Sequence, residues 1–286
     1  MQSMIAPSAS APQFAAPEHT TRLTVENIPI FLVDQGGGTP TLLLHGIFDS
    51  ADTWRGVVER LQGRYRCLTP DLPGFGRSGE PANFDFALPH LAQFIDNLVA
   101  AVGIDEPLNL VAYDIGATYG LAWAVTYPEK VRRLAILNSN FFSDYQWHIW
   151  ARVWRTPIVG DLIMASVNES MYANRLRQDI PGIDPEQARA AARLVTPAAK
   201  RMALRHYRAL DSANFRSWED RLRELTAQVP TIVCWGDRDP FVSPSYAERF
   251  GAREVHHFAD RGHWLPIEAP AELAERLDAF LGAGGA

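Results

Sequence analysis

Asp114 stands in the stretch LNLVAYDIGATYG, between a buried-looking apolar run and a helical one. A nucleophile presented on a strained strand-to-helix turn needs small neighbours so that its side chain can protrude. Gly116 and Ala117 supply that smallness, although the position two residues earlier is Ala112 rather than glycine. An aspartate there could instead cap the following helix. Two later residues favour the chemical reading. Asp239 closes TIVCWGDRDPF at the end of a strand, and His263 lies in DRGHWLPIEAP ahead of the last helix. Asp114, Asp239 and His263 follow the chain order nucleophile, acid, histidine, 125 and 24 residues apart. Asp237, in the same turn as Asp239, competes for the acid position. Further upstream, HGIFDSADTW follows an apolar strand, and its turn would set the Ile47 N–H beside that of Ile115. Two converging backbone donors form an oxyanion hole. His45 reads as the residue that fixes this turn.

The type of nucleophile restricts the substrate. A carboxylate attacking an ester carbonyl would give a high-energy anhydride. Attack at a saturated carbon bearing a leaving group gives an alkyl ester, which water can cleave. His263, oriented by Asp239, would deprotonate that water, and the Ile47 and Ile115 amides would receive the oxyanion.

These residues need a scaffold that brings distant loops together. From residue 23 the chain reads as β (LTVENIPIFLVDQ, then TLLLH), and strands YRCLTP, LNLVAY, VRRLAILN, VPTIVCWG and REVHHF alternate with helical stretches. Strands this rich in Leu, Ile and Val, alternating with helices, predict an α/β fold with a mostly parallel sheet covered on both faces. Between 141 and 215 the strand rhythm stops and aromatics and helix formers take over. The expected organisation is a flexible tail over 1–21, a core over 22–140 and 216–286, and an inserted helical cap over 141–215. Gly74, Gly76 and Gly79 spell G-x-G-x-x-G after a strand, but Pro81 and FDFALP intervene before any helix. A dinucleotide site needs those glycines to open a helix, so the loop reads as a tight turn and no cofactor is expected.

Composition narrows the partners. There are 27 Lys and Arg against 33 Asp and Glu, for a net charge of −6. Nothing in that balance recruits nucleic acid or a membrane. Cys67 and Cys234 lie in apolar strands as free thiols, with no spacing for a metal. The N-terminal stretch has no basic, apolar signal pattern, and the expectation is a cytoplasmic protein, monomer or homodimer, acting on a small apolar substrate.

The motifs HGIF, D-L-P-G-F-G-x-S, D-x-G, G-x-x-D and G-H-W together make residues 22–281 resemble the α/β-hydrolase superfamily. An aspartate at the elbow is similar to the branch of epoxide hydrolases, haloalkane dehalogenases and haloacetate dehalogenases. That resemblance implies an α/β-hydrolase fold with an inserted cap. Haloalkane dehalogenases usually carry Trp after the nucleophile and a side-chain donor near the HG turn; here those places hold Ile115 and Ile47-Phe48. The arginines of haloacetate dehalogenases are replaced by Ile115 and Thr118. Epoxide hydrolases use cap phenols to protonate the opening ring, and Tyr207, 56 residues before His263, falls near that position. The resemblance therefore implies an epoxide hydrolase first and a dehalogenase with an atypical halide site second. A non-catalytic binding protein of the same fold is a third reading. Tyr172, Tyr145 and His148 are candidates for a second proton donor, and Phe48, Trp147 and Trp264 for the rest of the substrate pocket. Trp150 and Trp154 read as helix packing.

Overall fold

The computed structural model describes residues 19–283. Eight strands form one sheet: β1 (Thr20–Val25), β2 (Ile28–Gly36), β3 (Thr39–Leu44), β4 (Tyr65–Pro70), β5 (Leu108–Tyr113), β6 (Val131–Leu137), β7 (Thr231–Gly236) and β8 (Glu254–Phe258). Their order is β1-β2-β4-β3-β5-β6-β7-β8, with β1 to β2 and β2 to β4 antiparallel and the rest parallel. The stretch read as one β segment from residue 23 is a hairpin. Glu26 and Asn27, at φ 51° and 63°, make a two-residue turn whose left-handed residues let it follow the right-handed twist of the paired strands. Thr20 and Thr21, expected in the tail, pair with Val33 and Leu32; residues 1–18 of that tail, and the signal-peptide expectation, lie outside the described residues.

Helices α1 (Arg55–Leu61), α2 (Leu88–Val102) and α3 (Ile115–Thr126) join the first six strands. Between β6 and β7 come α4 (Ile149–Arg155), α5 (Val159–Ser166), α6 (Glu169–Asp179), α7 (Pro185–Arg193), α8 (Pro197–Ala209) and α9 (Arg216–Gln228), and the chain closes with α10 (Leu265–Glu268) and α11 (Pro270–Gly282). Successive strand side chains point to opposite faces. Leu42, Leu44, Leu110 and Ala112 accordingly pack with α2 and α3, while Leu43, Val111 and Tyr113 pack with α1 and α11. Both cysteines are buried and free. Among the described residues no helix is long and apolar enough to cross a membrane.

Parallel strands all end at one edge, so the loops after β3, β5, β6 and β7 meet there. The glycine loop after β4 braces that edge. Asp71, fully buried, accepts from the backbone N–H groups of Ala51 (2.6 Å) and Arg77 (2.7 Å) and from the Arg77 side chain (2.8 Å). A Cβ on Gly76 would sit 2.3 Å from Asp71 Oδ2, so glycine is needed to wrap the carboxylate. The next helix starts only at Leu88. His45 Nε2 accepts from the Leu72 N–H at 2.8 Å, which pins the HG turn to this loop.

Gly236 ends β7, and a Cβ there would stand 1.9 Å from the Gly262 carbonyl oxygen. Backbone cannot swing aside, so Gly236→Ala should cost about 2–3 kcal/mol. Urea unfolding should show a lower midpoint at an unchanged slope; an unchanged midpoint contradicts this close approach.

Candidate active site

Asp114 has φ 48° and ψ −124°, a conformation that non-glycine residues rarely adopt and that the surroundings must enforce. Ser139 Oγ donates to its carbonyl at 2.7 Å. Gly116 lets α3 come close behind it: a Cβ there would lie 2.6 Å from the Leu44 and His45 carbonyls. The carboxylate does not cap α3. It turns across the sheet edge, where Oδ2 accepts the Ile47 N–H at 2.7 Å. The Ile115 N–H has no acceptor among the described residues, so it remains free to join Ile47 as a second donor.

His263 lies between two carboxylates. Its Nδ1 is 2.7 Å from Asp239 Oδ2 and its Nε2 is 3.8 Å from Asp114 Oδ1. Four donors converge on the buried Asp239: His263, the Asn138 side-chain amide (2.8 Å), and the N–H groups of Phe241 (2.7 Å) and Val242 (3.1 Å). Asp237 instead pairs with His257 at 2.5 Å, on the protein surface. Burial pulls the His263 imidazole down, but the charge and hydrogen bond of Asp239, then Asp114 and Asp49, outweigh it and push it up to about 9. The ring is therefore an imidazolium at neutral pH.

Asn138 was not singled out in the sequence. Its amide accepts from the Gly236 N–H (3.0 Å), donates to the Gly236 carbonyl (3.2 Å) and reaches Asp239, stitching β6 to the turn that carries the acid. The signal was a polar residue ending the apolar run LAILN. Asp49 is a second residue overlooked: it is buried beside Asp114, and burial, followed by the Asp114 charge, pushes its carboxyl up to about 7.

A cavity of about 460 Å³ opens above Asp114 and His263. Phe48, His148, Tyr172, Tyr207 and Trp264 line it, as expected from the sequence. Tyr145 and Trp147 do not. The chain from 146 to 148 is a loop, with α4 beginning only at Ile149. Tyr145 spends its hydroxyl on the Phe241 carbonyl (3.0 Å), and Trp147 is held between the Tyr145 ring and the Arg155 guanidinium. Trp150 and Trp154, read as packing, are the tryptophans of α4 that reach the cavity.

Several of the polar groups facing this space beside the Asp114 carboxylate are hydrogen-bond donors. The hydroxyls of Tyr207 and Tyr172 have no partner among the described residues, and burial raises both well above the usual tyrosine range, so they stay protonated. His148 is pushed down to about 4, chiefly by burial. Its Nδ1 accepts the Ala151 N–H at 3.2 Å, which leaves the proton of the neutral ring on Nε2. The indole N–H of Trp154 is buried without an acceptor among the described residues, and that of Trp264 lies beside the Asp49 carboxyl and favours its ionised form. Among the described residues no cluster of His, Cys, Asp and Glu has the arrangement of a metal site.

Comparison with known proteins agrees with this architecture. The family described as "alpha/beta hydrolase fold" matches residues 39–270. The chain is 26% identical to a cis-3-alkyl-4-alkyloxetan-2-one decarboxylase of Shewanella oneidensis, over 87% of this chain and 84% of that one. It is 23% identical to epoxide hydrolase 3 of Mus musculus, over 86% and 71%. The crystal structure of an ancestral haloalkane dehalogenase superposes with a TM-score of 0.78 at 26% identity, covering 92% of this chain and 98% of that one.

The placement of His263 between two carboxylates has a measurable consequence. Its imidazole should titrate near pH 9 by NMR, and Asp239→Asn should move that midpoint down. Because the folded value exceeds the unfolded one, about 6.5, the stabilisation is complete below that pH and lost as pH rises through 9. A midpoint at or below 6.5 in the unsubstituted protein contradicts the assignment.

Proposed function

The chain belongs to the α/β-hydrolase fold family and is a hydrolase, and we propose that it opens epoxides through an ester of Asp114. One observation carries the reading: two phenol hydroxyls without protein partners, on Tyr207 and Tyr172, line the same cavity as the Asp114 carboxylate. An alkoxide is a poor leaving group unless it is protonated as the ring opens, and a neutral phenol facing the Asp114 carboxylate across the cavity supplies that proton.

In the first step an Asp114 carboxylate oxygen attacks a ring carbon and the C–O bond breaks. The ring oxygen takes a proton from Tyr207 or Tyr172, and the phenolate is reprotonated from solvent. The product is a hydroxyalkyl ester. Esterification removes the Asp114 charge, one of the groups that hold the His263 proton, so the imidazolium releases that proton to solvent and becomes a competent base. His263 then takes a proton from water, and the hydroxide adds to the ester carbonyl. The oxyanion is received by the Ile47 and Ile115 N–H groups. Collapse releases the diol and restores Asp114. Asp239 keeps the ring oriented and stabilises the imidazolium. The helical insert, 141–215, acts as the cap that contributes the phenols and excludes water.

A second reading, dehalogenation, draws support from the partnerless indole N–H of Trp154, placed to hold a departing halide in place of donors at positions 47 and 115. The relative named for an oxetan-2-one adds a strained lactone to the substrates worth testing.

His263→Gln should block the second step. Incubated separately with epoxides, haloalkanes and β-lactones and read by intact mass, this variant should gain the whole mass of an epoxide on Asp114. A haloalkane would leave an adduct lacking its halogen, and a protein that gains no mass and turns over nothing is a binding protein. Tyr207→Phe and Tyr172→Phe should each slow epoxide opening, together by about a hundredfold or more; opening at the parental rate in the double variant contradicts the assignment.

A further inference from the structure

Helix α6 gives the cavity a second chemical character, away from the reacting carboxylate. Tyr172, Arg175 and Asp179 recur at helical spacing and all line the cavity, so they form a stripe on one face of α6. From Tyr172 to Asp179 the helix advances two turns, about 10 Å. Much of the remaining wall is apolar, with Trp150, Trp154, Ile163 and Val167 in it. Arg175 Nε donates to Asp179 Oδ2, and the two side chains are 40% and 15% exposed. That bond leaves the terminal guanidinium nitrogens as donors and Asp179 Oδ1 as an acceptor, with no other partner among the described residues. The pair sits near the chemistry, because the charges of Asp114, Asp179 and Arg175 all act on the Tyr172 hydroxyl.

We propose that Arg175 and Asp179 form a subsite for the far end of the substrate, and that the substrate is an epoxide on an apolar chain ending in a hydroxyl or carboxamide. The inference rests on the epoxide reading above and extends it to the substrate class. Such an end group both donates and accepts. It accepts from a terminal nitrogen of Arg175 and donates to Asp179 Oδ1, so both are satisfied and the ion pair stays intact. A methyl end does neither. A carboxylate only accepts and meets the Asp179 charge, while an ammonium only donates and meets the Arg175 charge. Selectivity of this kind comes as much from the repelled alternatives as from the bonds formed. The apolar walls take the chain, and the few polar groups fix its orientation, with the ring at Asp114 and Tyr172 and the polar end farther along α6.

Epoxides of one chain length, long enough to span those two turns and ending in hydroxyl, carboxamide, methyl, carboxylate or ammonium, test this on the full chain through kcat/KM. The unsubstituted protein should prefer the hydroxyl and carboxamide ends to methyl by about threefold to tenfold, and to either charged end by more. The readout is the ratio between substrates within one protein, so a general loss of activity in a variant cancels. Asp179→Asn leaves the Arg175 charge unopposed and should raise the carboxylate-to-methyl ratio about tenfold. Arg175→Gln leaves the Asp179 charge unopposed and should raise the ammonium-to-methyl ratio by a similar factor. Ratios within about twofold of the parental ones in both variants overturn the proposal, and so does a parental preference for the methyl end. If the parent opens every member without regard to its end group and His263→Gln traps each one, the epoxide reading stands and only the subsite fails. If no member is opened or trapped, the epoxide reading fails and the subsite falls with it.

Discussion

His263 is held 2.7 Å from one carboxylate and 3.8 Å from another, and the C-terminal edge of the sheet is organised around that arrangement. Three carboxyl groups, Asp239, Asp114 and Asp49, crowd one imidazole in a space from which solvent is largely excluded. A site this rich in negative groups is tolerable because the imidazolium offsets one charge, the Ile47 N–H takes a second, and burial suppresses ionisation of a third. Asp239 is secured by four donors, so the ring it orients has little freedom. Esterification of Asp114 would release this balance: one negative charge goes, and the imidazolium becomes free to lose its proton. In the proposed mechanism, the same local crowding that favours the resting state would prepare the base for the second step.

The backbone serves the same end. Asp114 can face Ile47 only in a left-handed conformation, and Gly116 permits it by letting α3 approach the Leu44 and His45 carbonyls. Gly46 clears the space between Asp114 and Asp49, and Gly236 lets the acid-bearing turn lie against the loop that carries His263. Strain at one residue is offset by three glycines whose missing Cβ atoms would each meet carboxylate or backbone oxygen.

Much of this was legible in the sequence, because local signals carried it. Buried parallel strands are continuous in Leu, Ile and Val, and the residues at their ends, Asp114, Asp239 and His263, stand out by type against those runs. The order and character of strands and helices followed the sequence pattern closely. Residues whose role depends on contacts between loops were not legible. Asn138 matters because β6 lies beside β7, and Asp49 because Gly46 leaves room between two carboxylates; neither fact has a local signature. Tyr145 and Trp147 were expected in the pocket, and Trp150 and Trp154 as helix packing, because which aromatics of 145–154 face the cavity depends on where α4 begins, at Ile149, after the loop that carries Trp147. The turn at Glu26-Asn27 was hidden because neither residue is glycine.

The central claim is that Asp114 is consumed and regenerated in each turnover. One turnover with excess protein in ¹⁸O-labelled water tests it. If water attacks the Asp114 ester carbonyl, the first product carries unlabelled oxygen derived from Asp114, and the label appears in the peptide that contains Asp114. Label in the product of that first turnover, with none in the peptide, would mean that water attacks the substrate directly and would contradict the ester mechanism.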